Sequence, residues 1–308
     1  MLGLVLPCCT AQFDPCFTPV QHVKDLRVLG VRADPPEVLF DPAGDLPPPV
    51  LLRALVIDPG QTDDLAVSGV LCAPTDDHLC PPGSMAIQPG VGRPGDIGLV
   101  AQASRELLDA ARDADPLKGF GGIRLQLELR VRASFGRQAS ASKLLVYSPQ
   151  APGYVPNHGL EIDALAVTRS GEPSGFVTQS GGLSLLVGTY VGLTPLLSPG
   201  RGGSQAQEEY DVVDLSGRRV HLVEHVSYSF FSTLHARFKA DTVEEPPASA
   251  TPAANGLAQF RATFQSSGKL YVVARDGRGA EAWLYSDWDA VDQRVDEMKV
   301  SYEIECSQ

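Results

Sequence analysis

A chain of 308 residues with 43% hydrophobic and 20% charged residues holds enough apolar material for one large core or two ordinary ones, which counts against global disorder. A formal net charge of -12 counts against a nucleic-acid backbone as partner, since phosphate recognition needs clustered Lys and Arg, and the longest basic cluster is the pair Arg218-Arg219. Thirty glycines and 25 prolines suit many short strands joined by turns.

The chain opens on MLGLVLPCC, a short apolar run ending in cysteine and followed by polar residues. It is similar to the end of a bacterial lipoprotein signal, in which a cysteine is lipidated after cleavage. Cys9, with Leu6 three residues before it, fits the acceptor position slightly better than Cys8. No basic region precedes the run, as when a gene start is assigned too late; the alternative is an ordinary buried apolar N-terminus. Residues 1–22 are therefore read as a signal or lipoprotein-type segment. No run reaches the ~18 apolar residues of a membrane-spanning helix.

From Lys24 the period is two: Leu26, Val28 and Gly30 alternate with Arg27, Leu29 and Val31, a strand that Asp34-Pro35-Pro36 turns at a corner. PPPVLLRALVIDPG and DDLAVSGVLCAP are two more strands, the last delivering Cys72. Cys72 and Cys80 bracket APTDDHL and are expected to form a local disulfide pinning that loop, with two buried free thiols as the alternative. Cys16 and Cys306 would clasp the termini if they pair. Disulfides imply an oxidising compartment, and without a C-x-x-C a zinc ribbon or thioredoxin-type site has no support.

LVAQASRELLDAARDADP predicts one helix over about residues 100–115, with Val100, Ala103, Leu107, Leu108 and Ala111 on an apolar stripe. GGIRLQLELRVRASFG follows as a half-buried strand, with Ile123, Leu125, Leu127, Leu129 and Val131 on one face and Arg124, Gln126, Glu128, Arg130 and Arg132 on the other. Prolines and lack of period mark 149–158 as a linker. Beyond it the strands are LEIDALAVTRSG, LSLLVGTYVG, RRVHLVEHVSYSFFS, AQFRATFQ, the hairpin KLYVVARDGRGAEAWLYS turning at Asp276-Gly277, and MKVSYEIEC. The expected fold is all-β: two tandem immunoglobulin-like β-sandwiches of about seven strands each, over 23–148 and 159–308, with the helix inserted in the first.

HLVEH, His221 to His225, matches the H-x-x-E-H pattern of inverzincin metallopeptidases. Such a pair must project from one face of a helix, and β-branched and aromatic neighbours predict a strand instead. On one strand His221, Val223 and His225 share a face opposite Glu224, and the two imidazoles stand about 13 Å apart, too far for one zinc ion. A third ligand is unassigned, although Glu303 and Glu305 are available in the last strand, and no metal site is expected. RDGRG has the look of a phosphate or calcium loop but reads first as a hairpin turn, and Thr75 to His78 reads as solvated turn surface. Tyr228, Phe230, Phe231, Trp283 and Trp288 suit core packing or sugar stacking, with Trp288 expected as the more exposed indole.

Taken together, KDLRVLGVRADPPEV after a cysteine-bearing N-terminus, Cys72 with Cys80, the Pro156-Asn157 linker, EHVSYSFFSTLHARF and LYVVARDGRGAEAWLY resemble the cell-envelope lipoproteins of myxobacteria and their relatives that carry tandem immunoglobulin-like domains. The resemblance covers most of residues 16–290, with Val70-Leu71 where an aromatic usually precedes the first cysteine. It implies no defined reaction, no cofactor and no catalytic residue. It implies an exported protein of a Gram-negative bacterium, held at the outer membrane by a lipid anchor or displayed on the surface, acting on other envelope proteins or surface polysaccharide as a binding, adhesive or scaffold module. Two alternatives are a structural accessory subunit of a larger surface assembly and, remotely, a zinc hydrolase built on HLVEH.

Overall fold

The computed structural model describes residues 21–41, 44, 46–119, 121–150, 154–198, 209–213, 219–234, 236–239, 242–244 and 257–292. The first unit contains β1 (Arg27–Asp34), β2 (Glu37–Phe40), β3 (Val50–Ile57), β4 (Leu65–Cys72), β5 (Met85–Ala86), β6 (Gly90–Gly92), β7 (Gly95–Ala101), α1 (Arg105–Ala114), β8 (Ile123–Arg132) and β9 (Gln138–Pro149). One sheet has the order β1-β3-β7; the other runs β2-β9-β8-β4-β5, with β6 also on β4. Between them lies a core to which β3 gives Val50 and Leu52, β4 gives Leu65 and β8 gives Leu125, Leu127 and Leu129.

The second unit contains β10 (Ile162–Arg169), β11 (Glu172–Thr178), β12 (Gly182–Leu186), β13 (Val191–Leu197), β14 (Glu209–Val213), β15 (Arg219–Val223), β16 (Ser227–Ser232), β17 (Ala236–Phe238), β18 (Thr242–Glu244), β19 (Ala258–Ala262), β20 (Ser266–Arg275) and β21 (Glu281–Val291). Its sheets run β11-β10-β13-β19-β17 and β12-β21-β20-β16-β18, with β14 and β15 as a separate hairpin. In both units a short early strand pairs in parallel with the last one, β2 with β9 and β12 with β21. The hairpin before it also recurs, β8 with β9 and β20 with β21. Two stacked, mainly antiparallel sheets in this order are immunoglobulin-like sandwiches. Among the described residues, no helix is long and apolar enough to cross a membrane.

Several local expectations change. The helix is shorter than the apolar stripe suggested: Gly95–Ala101 is a strand paired to β3, so Val100 stands exposed on a sheet. Ser104 caps the helix by accepting the Leu107 N–H, and Leu108 and Ala111 carry its burial. LSLLVGTYVG divides into β12 and β13, and β11 is an additional strand, so the units exceed seven strands each. In β1 a bulge between Val28 and Gly30 reverses the alternation. Val31 and Ala33 thus enter the first core, while Leu29 turns outward to the second unit.

Cys72 and Cys80 are joined by a disulfide with their Cα atoms 5.7 Å apart. The loop folds over the middle of β8 and removes Gln126 and Glu128 from the expected solvent face. Thr75 N–H donates to Gln126 Oε1 (3.2 Å) and Cys80 N–H to Glu128 Oε2 (3.0 Å). The Cys80 N–H, with Arg130, outweighs burial and holds the Glu128 carboxyl below its usual range. Thr75 and Asp77 close the turn through Leu79, so the Thr75–His78 stretch is occupied by its own backbone. Changing both cysteines to serine is expected to cost about 2–3 kcal/mol, the entropy of freeing so short a loop, in urea unfolding. An unreduced digest of the wild type should yield the linked peptides.

Candidate functional site

The two sandwiches meet along a seam. Its apolar part joins Val23, Leu29, Leu55 and Ile57 to Tyr271 and Val273, with Phe231, Trp283 and Tyr285 packed at its margin. This contact explains why β3 and β20 lose their alternation: the outward residues Leu55, Ile57, Tyr271 and Val273 are covered by the other unit. Gly30 permits the close approach, since a Cβ there would meet Glu281 Oε2 at 3.1 Å and the Trp283 ring at 3.3 Å.

The polar part is built on the β20–β21 turn. Arg275 pairs with Glu281, leaving residues 276–280 as the turn. Glu281 accepts from Lys143 Nζ (2.9 Å) and from the Val31 N–H (3.0 Å), while Arg275 donates to the Leu29 carbonyl (2.8 Å). Arg278 reaches Glu224 (2.7 Å) and Glu37 (3.4 Å) and lies over the Tyr210 ring at 4.2 Å. Glu37 also accepts from the Ser148 and Tyr154 hydroxyls and from the Asn157 N–H (2.7 Å). Burial, then the bond to Glu37, pushes the Tyr154 phenol up. Asn157 Nδ2 also donates to Asp276 Oδ2 in the β20–β21 turn (2.9 Å), so the linker is tied to both sandwiches.

The fate of HLVEH follows from this. Its residues do not share one strand: β15 ends at Val223 and β16 begins at Ser227, in different sheets. The chain must leave the β14–β15 hairpin and enter a packed sheet, so alternation stops at the break. His221 and His225 are exposed, and His221 Nε2 stands 3.5 Å from Glu209 Oε2. Glu224 is buried on Arg278. Among the described residues no group of three or more His, Cys, Asp or Glu is placed to hold a metal ion. Trp288, expected as the exposed indole, is 1% exposed; it packs edge-on to Phe260 and donates to Ser232 Oγ (3.1 Å). Cys8, Cys9, Cys16, Cys306, the strand MKVSYEIEC and Glu303 with Glu305 lie outside the described residues.

A second feature stands clear of the seam. Leu65 pairs with Gly92, Ala66 with Arg132 and Gly95 with Val56, so the turns after β3, β6 and β8 gather at one end of the first sandwich. Arg137 pairs with buried Asp58 (2.5 Å), Ser134 donates to Asp63 (3.2 Å), and Arg93 lies 4.0 Å from Asp64. The Arg137–Asp58 pair, with Asp58 buried, and the Ser134–Asp63 hydrogen bond tie the turn after β8 to the turn after β3. At the tip Phe135 has φ 61°, ψ 24° and is 94% exposed. A large apolar side chain so displayed, on left-handed backbone that only glycine adopts freely, is uncommon. ASFG, expected as the end of the strand GGIRLQLELRVRASFG, lies beyond it: β8 stops at Arg132 and Ser134–Gly136 form the turn.

No protein-family model matches the chain, and no curated protein matches it. Among solved structures it is similar to red sea bream transglutaminase (9% identity, 88% of this chain, 32% of that one, TM-score 0.24). It is similar also to the two tandem V-type regions of VCBP3, a v-region-containing chitin binding protein (11%, 85% and 99%, 0.27), and to the adhesin InvE of Yersinia pseudotuberculosis (10%, 84% and 58%, 0.23). The chain spans about a third of the transglutaminase. At such scores the superpositions carry no functional argument, and the class, a tandem immunoglobulin-like sandwich protein, rests on the strand order.

Proposed function

We propose that this chain is an exported, non-enzymatic module of the bacterial cell envelope that binds through the loop end of its first sandwich. The observation that carries the reading is Phe135, 94% exposed at the tip of a turn tied to the turn after β3 by an ion pair and a hydrogen bond. Aromatic side chains supply large contact area with only two side-chain torsions to fix, which makes them anchors in binding surfaces. The corresponding turn of the second sandwich, residues 276–280, is spent on the seam, so the first sandwich alone presents this turn freely. The Cys72–Cys80 disulfide suits the oxidising compartment of an exported protein, and the N-terminal cysteines suit a lipid anchor at the outer membrane.

Tagged wild type and Phe135→Ala, used on native envelope fractions, test the reading. A partner protein or polysaccharide retained by the wild type should bind the variant at least about 10-fold more weakly in direct titration. The stability of the variant should stay within about 0.5 kcal/mol of wild type, since the ring packs on nothing. Equal affinity of both forms would move binding away from this end. A second reading, a subunit of a larger surface assembly, is favoured by Leu51 and Val100, cross-strand partners both exposed on the outer face of β3 and β7.

A further inference from the structure

The β11-β10-β13-β19-β17 sheet has an outer face that neither the second core nor the seam uses. Val167, Leu193 and Phe260 point into the core, so alternation sends Thr168, Gly192, Gln259 and Arg261 outward. Phe238 packs on the same core and turns its neighbours Arg237 and Lys239 outward, both exposed. Thr168, Gly192 and Gln259 stand side by side on β10, β13 and β19, and the Lys239 N–H donates to the Gln259 carbonyl (3.0 Å). Arg237 is the cross-strand partner of Arg261.

Three cations thus gather on one face of a chain in which acids outnumber bases 37 to 25. Among the described residues no carboxylate pairs with Arg237, Lys239 or Arg261. Lys239 and Arg261 share the Tyr190 ring, at 4.5 Å and 4.6 Å from its centroid. Like charges directly opposite on adjacent strands repel, so the Arg237–Arg261 pair is unfavourable until an anion lies across it. Hydrogen bonding is unmet here too: Arg261 Nε, Gln259 Oε1 and Thr168 Oγ1 are buried without a partner. At the β11 edge of the same face Phe176 is 73% exposed, because its neighbour Val177 takes the core position. Three strand spacings, about 14 Å, separate β11 from β19.

We propose that this face binds an acidic polysaccharide, one whose sugar rings carry carboxylates. A carboxylate draws Arg237, Lys239 and Arg261 onto itself and relieves their repulsion. Gln259 Oε1 can only accept and so requires a hydroxyl, while the Thr168 hydroxyl serves either way. A run of phosphates or of acidic side chains supplies acceptors alone; a sugar chain supplies hydroxyls as well. The apolar side of a further ring lies on Phe176. The surface belongs to the other sandwich from Phe135 and does not rest on binding there.

The test is calorimetric titration of the full chain with a galacturonate oligomer at about 0.05 M salt, beside a neutral glucan of equal length, polyglutamate and inorganic polyphosphate. The galacturonate oligomer is expected to bind at least about 10-fold more tightly than each of the other three, since it alone brings both carboxylates and hydroxyls. Raising salt to about 0.5 M should weaken it at least about 10-fold, as exposed charges are screened. Arg237→Glu combined with Lys239→Glu should lose at least about 10-fold, Phe176→Ala about 3-fold, and Phe135→Ala nothing. Absence of binding, or an affinity unchanged by the double reversal or by Phe176→Ala, would overturn the proposal. Polyglutamate or polyphosphate bound as tightly as galacturonate would reduce the face to an unselective anion patch and overturn it equally. Loss of binding in Phe135→Ala would move the polymer to the first sandwich. Should the double reversal not fold, Arg237→Gln combined with Lys239→Gln removes the charges without inverting them and must still lose at least about 3-fold.

Discussion

Replacing Arg278 by alanine should destabilise the protein by about 3–5 kcal/mol, the cost of leaving buried charges without their partner. Glu37 and Glu224 are 4% and 3% exposed and both pair with this guanidinium, itself only 18% exposed. The two contacts come from opposite sides of the seam, so the change removes a fork that joins β2 to the segment leading into β16. Arg278→Lys keeps the charge but cannot span both carboxylates in one plane, and should recover only part of the loss. Urea unfolding followed by fluorescence measures both. A loss below about 1 kcal/mol for the alanine variant would mean that the carboxylates are hydrated in solution and that the seam is open.

Trp288→Ala should cost about 3–5 kcal/mol as well, here through an apolar cavity in the second core. The indole is 1% exposed, meets Phe260 edge-on at 5.7 Å, and is hydrogen-bonded to Ser232. Its ring lies against Gly268, where any Cβ would come within 2.9 Å of the indole carbons. Trp288→Phe keeps most of the volume and leaves the Ser232 hydroxyl its bond to the Thr233 carbonyl, so it should cost clearly less. Calorimetry would separate the two variants. If Trp288→Ala were no worse than Trp288→Phe, the indole would not be the packed centre of this sandwich.

What was legible in the residues follows from local rules. The strict alternation of Ile123 to Val131 marks β8 because a side chain on a pleated strand can face only two ways. Asp276-Gly277 marks a hairpin between two such runs, and β20 and β21 form it. The expectation of a strand rather than a helix around HLVEH held on each side of the break, because β-branched and aromatic residues pack on a sheet. The break itself was not legible, since it depends on where a neighbouring sheet ends.

The seam was hidden for the same reason throughout. Glu224 looks like any strand glutamate until Arg278, distant in sequence, is brought to 2.7 Å. Gln126 and Glu128 look like solvent residues until the disulfide loop covers them. Trp288 was expected outside although its face of β21 is the inner one. By itself, then, the sequence determined the class of fold, the positions of most strands and the turn that joins β20 to β21, because these depend on periodicity and turn chemistry within about ten residues. Only the tertiary structure decided which outward faces are covered, which carboxylates are buried and which loop end stays free. Those outcomes depend on contacts between residues such as Val31 and Glu281, 250 positions apart, which no local pattern encodes.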